Sequence, residues 1–394
     1  MADTRTPSSP FNVSRRLQQV QSPIIPVVGD LIRAHPGTIS LGQGVVHYAP
    51  PPQAFERMQA SLSESDYHKY KAVGGITPLT SLIGEKLNRD NGITVDAGNR
   101  VIVTAGGNMA YMNAILAITD PGDEVIIQRP YYFNHEMAIM IAGAVPVSVD
   151  TTNDGQPIVE AIERAITPRT RAITTISPNN PTGAVYDETS LRKINALCKA
   201  RGLFHIHDEA YEYFTYGDAR RFSPGTIAGA SDYTISLYSL SKSFGMASWR
   251  IGYMVIPALL EEAVRKIQDT ILICPPLISQ HAAIGAMEAG SAWVRERVAA
   301  MSPVRELVLH ELSQVGAFCH VPRADGAFYV LLTLDTKQKD MRIVERLVKE
   351  FGVAVIPGQT FGIDNACRLR IAYGALGRDA VAEGIGRLVR GLRE

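Results

Sequence analysis

The sequence predicts an α/β fold in which a mostly parallel sheet is covered by helices on both faces and is followed by a smaller α+β domain. Three observations carry this expectation. Short β-rich runs alternate with longer segments of helical period from about residue 100; the runs are predominantly apolar without strict alternation, as strands buried on both faces are; and after Ile256 long helical segments take over.

In chain order, 100–104, 124–128, 171–176, 203–207, 233–238 and 251–256 read as strands. Between the third and fourth, 188–201 places Leu191, Ile194, Leu197 and Cys198 on one helical face. Segments 259–272, 277–301 and 304–315 then read as helices and 327–332 and 368–372 as two β runs, and a helix from Asp379 closes the chain. A helical stretch around 24–33 is too short to fold alone and is expected to pack with the second domain. The expected division is an N-terminal arm at 1–40, a large domain at 41–275 and a small C-terminal domain at 276–394.

Composition narrows the function classes. The 394 residues carry 39 Lys plus Arg against 39 Asp plus Glu, and 46% are hydrophobic, which describes a folded chain with no global field to draw it onto nucleic acid or an anionic membrane. No stretch approaches the roughly 18 uninterrupted apolar residues of a membrane span. The first ten residues are polar and lack the apolar core of a secretion signal, and the four cysteines form no Cys-x-x-Cys pair, so a cytoplasmic setting is expected.

Three apparent motifs fail on context. Ser239-Leu240-Ser241-Lys242 satisfies a Ser-x-x-Lys pattern, but no Ser-Asp-Asn or Lys-Thr-Gly follows it. Gly42-Gln43-Gly44 has His47 where a dinucleotide fingerprint requires its third glycine. His205-Ile206-His207-Asp208-Glu209 offers ligand types at alternate strand positions but no distant partner to complete a sphere, so no metal is expected.

What survives is a set of residues just past the β runs, where open α/β sheets bind ligands. Gly106-Gly107-Asn108 opens a helix whose N–H groups and dipole suit a phosphate. Ser239, Ser241, Lys242 and Arg250 add hydroxyls, an amine and a guanidinium; a Lys beside cations can lose its proton and attack a carbonyl carbon. Asp208 ends a strand and can pair with a protonated ring nitrogen, Tyr211 lies one turn on, and Asn180 offers an amide from the rigid turn Asn180-Pro181-Thr182-Gly183. Together these suit one anionic aromatic cofactor.

In this order the residues resemble the class I/II aminotransferases, the fold-type I enzymes dependent on pyridoxal 5′-phosphate. The most specific elements are Ser239-x-Ser241-Lys242 with Trp249-Arg250-Ile251-Gly252, then Asn180-Pro181-Thr182-Gly183 and Asp208-x-x-Tyr211; the likeness runs from Ser14-Arg15-Arg16 to Leu369-Arg370-Ile371. It implies a seven-stranded, mostly parallel sheet and the following roles. Lys242 bears the cofactor and moves the α-proton, Asp208 keeps the ring nitrogen protonated, and Asn180 and Tyr211 bind the ring oxygen. Gly106, Gly107, Asn108, Ser239, Ser241 and Arg250 hold the phosphate, and Tyr132 stacks on the ring. Tyr70 reaches the neighbouring subunit's cofactor, which implies a homodimer. Arg370, helped by Asn180 and Gly44, binds the substrate carboxylate.

The resemblance also bears on substrate. Members preferring acidic donors supply a distal cation, whereas here Asn108 follows the phosphate-site glycines and no Lys or Arg lies between Lys266 and Arg295. With Gly42-Gln43-Gly44-Val45-Val46-His47-Tyr48 and Ser248, the pattern is similar to plant-type aromatic and methionine aminotransferases. This implies a large neutral amino donor, a 2-keto acid acceptor, ping-pong kinetics and an apolar pocket bordered by Ile24, Ile25, His47 and Tyr48. The alternatives are a cysteine-conjugate β-lyase and an aspartate-type aminotransferase; a non-catalytic regulator is disfavoured because Lys242 is intact.

Overall fold

The computed structural model describes residues 13–394. The polar stretch read above for a secretion signal, and the first part of the 1–40 arm, lie outside them. The strands are β1 (Ile39–Ser40), β2 (Asn99–Thr104), β3 (Glu124–Arg129), β4 (Val145–Asp150), β5 (Thr170–Ile176), β6 (Phe204–Asp208), β7 (Thr234–Ser239), β8 (Gly252–Pro257), β9 (Cys319–His320), β10 (Tyr329–Leu334), β11 (Val353–Ala354), β12 (Ile356–Pro357) and β13 (Cys367–Ala372).

Seven of them form one sheet in the order β2-β8-β7-β6-β5-β3-β4. Every neighbouring pair is parallel except the two that β8 makes with β2 and β7. Successive side chains leave opposite faces of a strand. Val125 and Ile127 therefore join Ile102, Ile206, Leu237 and Met254 under the helices Gly107–Ile118 and Phe133–Ala142. Ile126 joins Ile173, Ile194 and Cys198 on the other face, beneath the helix Glu188–Arg201. That helix has the expected bounds because Asp187 caps it by accepting the Ser190 N–H at 2.8 Å and Gly202 takes the left-handed conformation that ends it.

A four-stranded sheet, β12-β13-β10-β9, is antiparallel throughout. β1 pairs with β11, which ties the N-terminal segment to the chain near residue 353. Two expectations are corrected. β4 was not foreseen as a strand; it is the edge strand, where Pro146 is tolerated and one face stays wet, so its pattern is less apolar than its neighbours'. The break expected near 302–303 is also absent: helical structure runs from Leu277 through Pro303 to Ser313, and the non-helical residue inside it is Gly290, at φ 78°.

No helix among the described residues is long and apolar enough to cross a membrane. None of their His, Cys, Asp and Glu side chains gather in threes to hold a metal ion. His205 and His207 both approach the Thr175 hydroxyl, at 2.8 and 2.7 Å.

Candidate functional site

Parallel strands deliver their carboxyl ends to one rim of the sheet, and the candidate residues arrive there in turn. β2 leads through Gly106 into the helix Gly107–Ile118, β3 to Tyr132, β5 to Asn180, β6 to Asp208 and Tyr211, and β7 to Ser239, Ser241 and Lys242. β8 runs the opposite way, so Arg250, which precedes it, reaches the same rim. Gly252 begins that strand because a Cβ there would stand 2.7 Å from the Tyr238 carbonyl oxygen. Arg370 comes from β13, and Gly44 from the loop after β1. Together they surround a cavity of about 530 Å³.

One end of the cavity is built for an anion. Ala110 is the first residue of its helix whose N–H finds a carbonyl in that helix, Gly106 O at 3.2 Å, so the N–H groups of the first turn remain free to face a ligand. Ser239 caps the next short helix by accepting the Ser241 N–H at 3.2 Å. The Arg250 guanidinium is steadied by the Ala247 carbonyl at 2.8 Å and lies so close to Gly106 that any Cβ at that residue would overlap it. Gly106, at φ 84°, is thus the residue that both the backbone and Arg250 require.

The middle holds the charged groups. Asp208 Oδ2 lies 3.0 Å from His135 Nε2, and its Oδ1 accepts the Ala210 N–H at 2.9 Å. His135 is buried and stacked on Tyr111 at 3.9 Å, which orients the carboxylate. Lys242 Nζ donates to Gly44 O at 2.5 Å, and the Lys242 carbonyl accepts from the Tyr48 hydroxyl at 2.8 Å. Burial, then the positive charges of Arg250 and Arg370, push the Lys242 amine down to about 8 despite Asp208. About a tenth of it is therefore neutral and nucleophilic at pH 7, far more than for an ordinary lysine.

The other end holds Arg370, only 2% exposed, with its guanidinium over the rings of Tyr329 and Phe361. It donates to Asn180 Oδ1 at 3.0 Å and to Gly42 O at 2.6 Å, while its Nε is buried without a partner. Three cations and one carboxylate line the cavity. That donor set, with an orphaned guanidinium N–H and a free helix N-terminus, fits a phosphate-bearing ring at one end and a substrate carboxylate at the other.

Four expectations change in detail. Ile25, not Ile24, lines the cavity, and Ile24 packs against the core. His47 and Tyr48 sit in a neighbouring cavity with Trp293 and Arg297, the His47 Nδ1 3.3 Å from Gly374 O. Gly106 acts through Arg250 without lining the cavity. Tyr70, expected at the neighbouring subunit's site, is 77% exposed. Sequence reasoning missed His135 and Tyr329. The signal for His135 is the single imidazole of its helix, one turn past Tyr132; Tyr329 opens a strand of the other sheet and carried none.

Comparison with known proteins gives a consistent result. The family model "Aminotransferase class I and II" matches residues 36–388. The aromatic aminotransferase ISS1 of Arabidopsis thaliana is 32% identical over 391 residues, 97% of this chain and 96% of that protein. The aspartate/prephenate aminotransferase of Thermus thermophilus is 35% identical over 370 residues, 91% of this chain and 94% of its own. The structure of an aromatic aminotransferase from Pyrococcus horikoshii superposes with a TM-score of 0.86 at 31% identity, covering 93% of this chain and 98% of that one.

Proposed function

Because the chain belongs to the class I and II aminotransferases, enzymes that use pyridoxal 5′-phosphate, we propose that this transaminase takes its amino group from a large neutral donor, aromatic or methionine-like. A 2-keto acid receives it in ping-pong order, the first keto acid leaving before the second binds at the same arginine. The observation that carries the donor class is the cation inventory. Among the described residues, Lys242, Arg250 and Arg370 are the cations lining the cavity, and each has a role, so this chain leaves none of them for a distal carboxylate. Ile25, Phe133 and Tyr132 supply apolar and aromatic wall instead.

Bound in this cavity, the cofactor supplies an electrophilic carbon for the amine and a ring that takes up the electrons left when the α-proton departs. Gly107, Asn108, Ser239, Ser241 and Arg250 hold its phosphate. Asp208, fixed by His135, keeps a proton on the ring nitrogen. Tyr211 and Asn180 serve the ring oxygen, and Tyr132 covers the ring. Lys242 anchors the cofactor, and its Nζ, once free, takes the donor's α-proton. Arg370 grips the donor carboxylate.

The exposure of Tyr70 supports a homodimer in which it completes the partner's phosphate site. Tyr70→Phe is expected to weaken cofactor retention with the fold intact; a fully active monomer at assay concentration would end this reading. The β1–β11 pairing supports packing of the later part of the 1–40 arm with a small domain at 276–394 beside a cofactor domain at 41–275, while nearer its start Gln21 donates to Glu136 of the large domain at 3.0 Å. The unpaired cysteines support a cytoplasmic setting.

The test is a donor-by-acceptor panel with the purified holoenzyme. Phenylalanine, tyrosine, tryptophan and methionine are expected to exceed aspartate in kcat/KM; a clear preference for aspartate, the activity named for several relatives, would overturn the donor class. Pyruvate and ammonia from a cysteine S-conjugate without added keto acid would identify the β-lyase instead.

A further inference from the structure

Tyr211 follows β6 of the large sheet and Tyr329 begins β10 of the small one, yet their hydroxyl oxygens lie 2.7 Å apart. Both side chains are buried, and Gly44 closes in on the second: a Cβ there would stand 2.6 Å from the Tyr329 hydroxyl. The direction of the protons follows from the neighbours. Arginine has only donors, so the contact from Arg370 to Asn180 Oδ1 fixes which end of the amide faces which side. Asn180 Nδ2 therefore faces Tyr211 and donates to its oxygen at 3.4 Å.

We propose that Tyr329 is a positioning residue whose hydroxyl donates to Tyr211, fills that oxygen's second acceptor site and so turns the single Tyr211 proton into the cavity, toward the cofactor's ring oxygen. Accepting two hydrogen bonds makes Tyr211 the stronger donor, because chained hydrogen bonds polarise one another. This rests on the reading above that Tyr211 serves the ring oxygen. The other titratable groups facing the pair are Tyr132 and Arg370, with Lys242 and Asp208 across the cavity. Because Arg370 donates to Asn180 and lies over the Tyr329 ring at 4.8 Å, the residues gripping the donor carboxylate and those serving the ring oxygen form one closed set of contacts.

The experiment is a pH titration of the holoenzyme's visible absorbance, in which the titrating proton is shared between the Lys242 nitrogen and the ring oxygen. A good donor to that oxygen lowers its basicity and holds the midpoint down. Tyr329→Phe keeps the ring over Arg370 and loses only the hydroxyl, so the midpoint is expected to rise by about half to one pH unit. Tyr211→Phe is expected to raise it further, and the double variant no further than Tyr211→Phe alone. A midpoint that stays or falls in Tyr329→Phe overturns the proposal, as does an equal rise in the Tyr211→Phe background. A raised KM with an unmoved midpoint also overturns it, placing the hydroxyl's effect on the substrate. An unmoved midpoint in Tyr211→Phe overturns the underlying assignment of Tyr211, and this proposal with it.

Discussion

Arg370→Leu removes the group proposed to grip the donor carboxylate while leaving the lysine and the phosphate site in place. A guanidinium has five N–H donors. Asn180 and Gly42 engage two of them, and the rest include the buried, unpartnered Nε. A two-pronged grip on a carboxylate is therefore available without breaking either existing contact. Each charge-assisted hydrogen bond contributes about 1.5–3 kcal/mol, so losing two costs about 3–6 kcal/mol, or a fall of about 10²–10⁴ in kcat/KM. The assay compares phenylalanine with 2-phenylethylamine, which has the same ring and amine but no carboxylate. Phenylalanine should suffer the full loss and phenylethylamine far less, with cofactor absorbance retained. A loss below about tenfold for phenylalanine would refute the bidentate grip. An equal loss for both amines would show that Arg370 supports the site as a whole, not the carboxylate in particular.

Three further outcomes follow from the same geometry. Only the neutral Lys242 amine reacts with added cofactor, so the reloading rate of the cofactor-free enzyme should climb with pH and level off above about 8; Arg370→Leu removes a cation that lowers this value, so the bend should move up, and a bend that stays or falls contradicts the account. Gly106→Ala places a methyl group against the Arg250 guanidinium at a positive φ and should weaken cofactor binding by about 10–100-fold, one charge-assisted contact's worth, as measured by equilibrium reloading; unaltered affinity would clear Arg250 of the phosphate role. Lys86 is buried, with Nζ on Glu212 and 2.8 Å from Asn91 Oδ1, so Lys86→Met leaves the buried Glu212 carboxylate with only the Asn91 amide at 2.9 Å and Arg221 at 3.8 Å; at about 3 kcal/mol, the low end for a broken buried pair, it should lower Tm by roughly 4 °C in a chain of this length. Adding Glu212→Leu should recover most of that loss, and a Tm unchanged in the single variant would deny the pair a stabilising role.

Much of the site was legible because it is built from short contiguous stretches. Ser239, Ser241 and Lys242 share one strand-to-helix turn, Gly106, Gly107 and Asn108 share another, and Asp208 and Tyr211 share the end of β6 and the turn that follows it. At a strand end, local backbone geometry alone aims the side chain at the rim, so residue type and position sufficed. The sheet was legible for the same kind of reason: strands buried on both faces are rich in apolar residues on both, as in β3 and β8, whereas the edge strand β4 alternates Val145, Val147 and Val149 with polar or proline positions.

The details that failed are those set by rotation and by distant contacts. Neighbouring residues on a helix point about 100° apart, so whether Ile24 or Ile25 faces the cavity depends on how the helix Ile24–Ala34 is docked. His47 lies on a loop whose side chains are turned by what they meet, and Tyr48 packs against Trp293. Arg250 was placed by its motif, but its arrival at the rim depends on β8 running antiparallel.

By itself, the sequence determined the α/β class through its periodicity and, through the resemblance of its motifs, the family and the candidate residues for the cofactor, most of which lie within short stretches of chain. Only the tertiary structure decided that Asp208 is held by His135, that Tyr211 meets Tyr329, and that Arg370 closes the cavity opposite Arg250. Those contacts join segments far apart in the chain, and their free energy comes from burial and charge pairing that exist only once the sheets have packed.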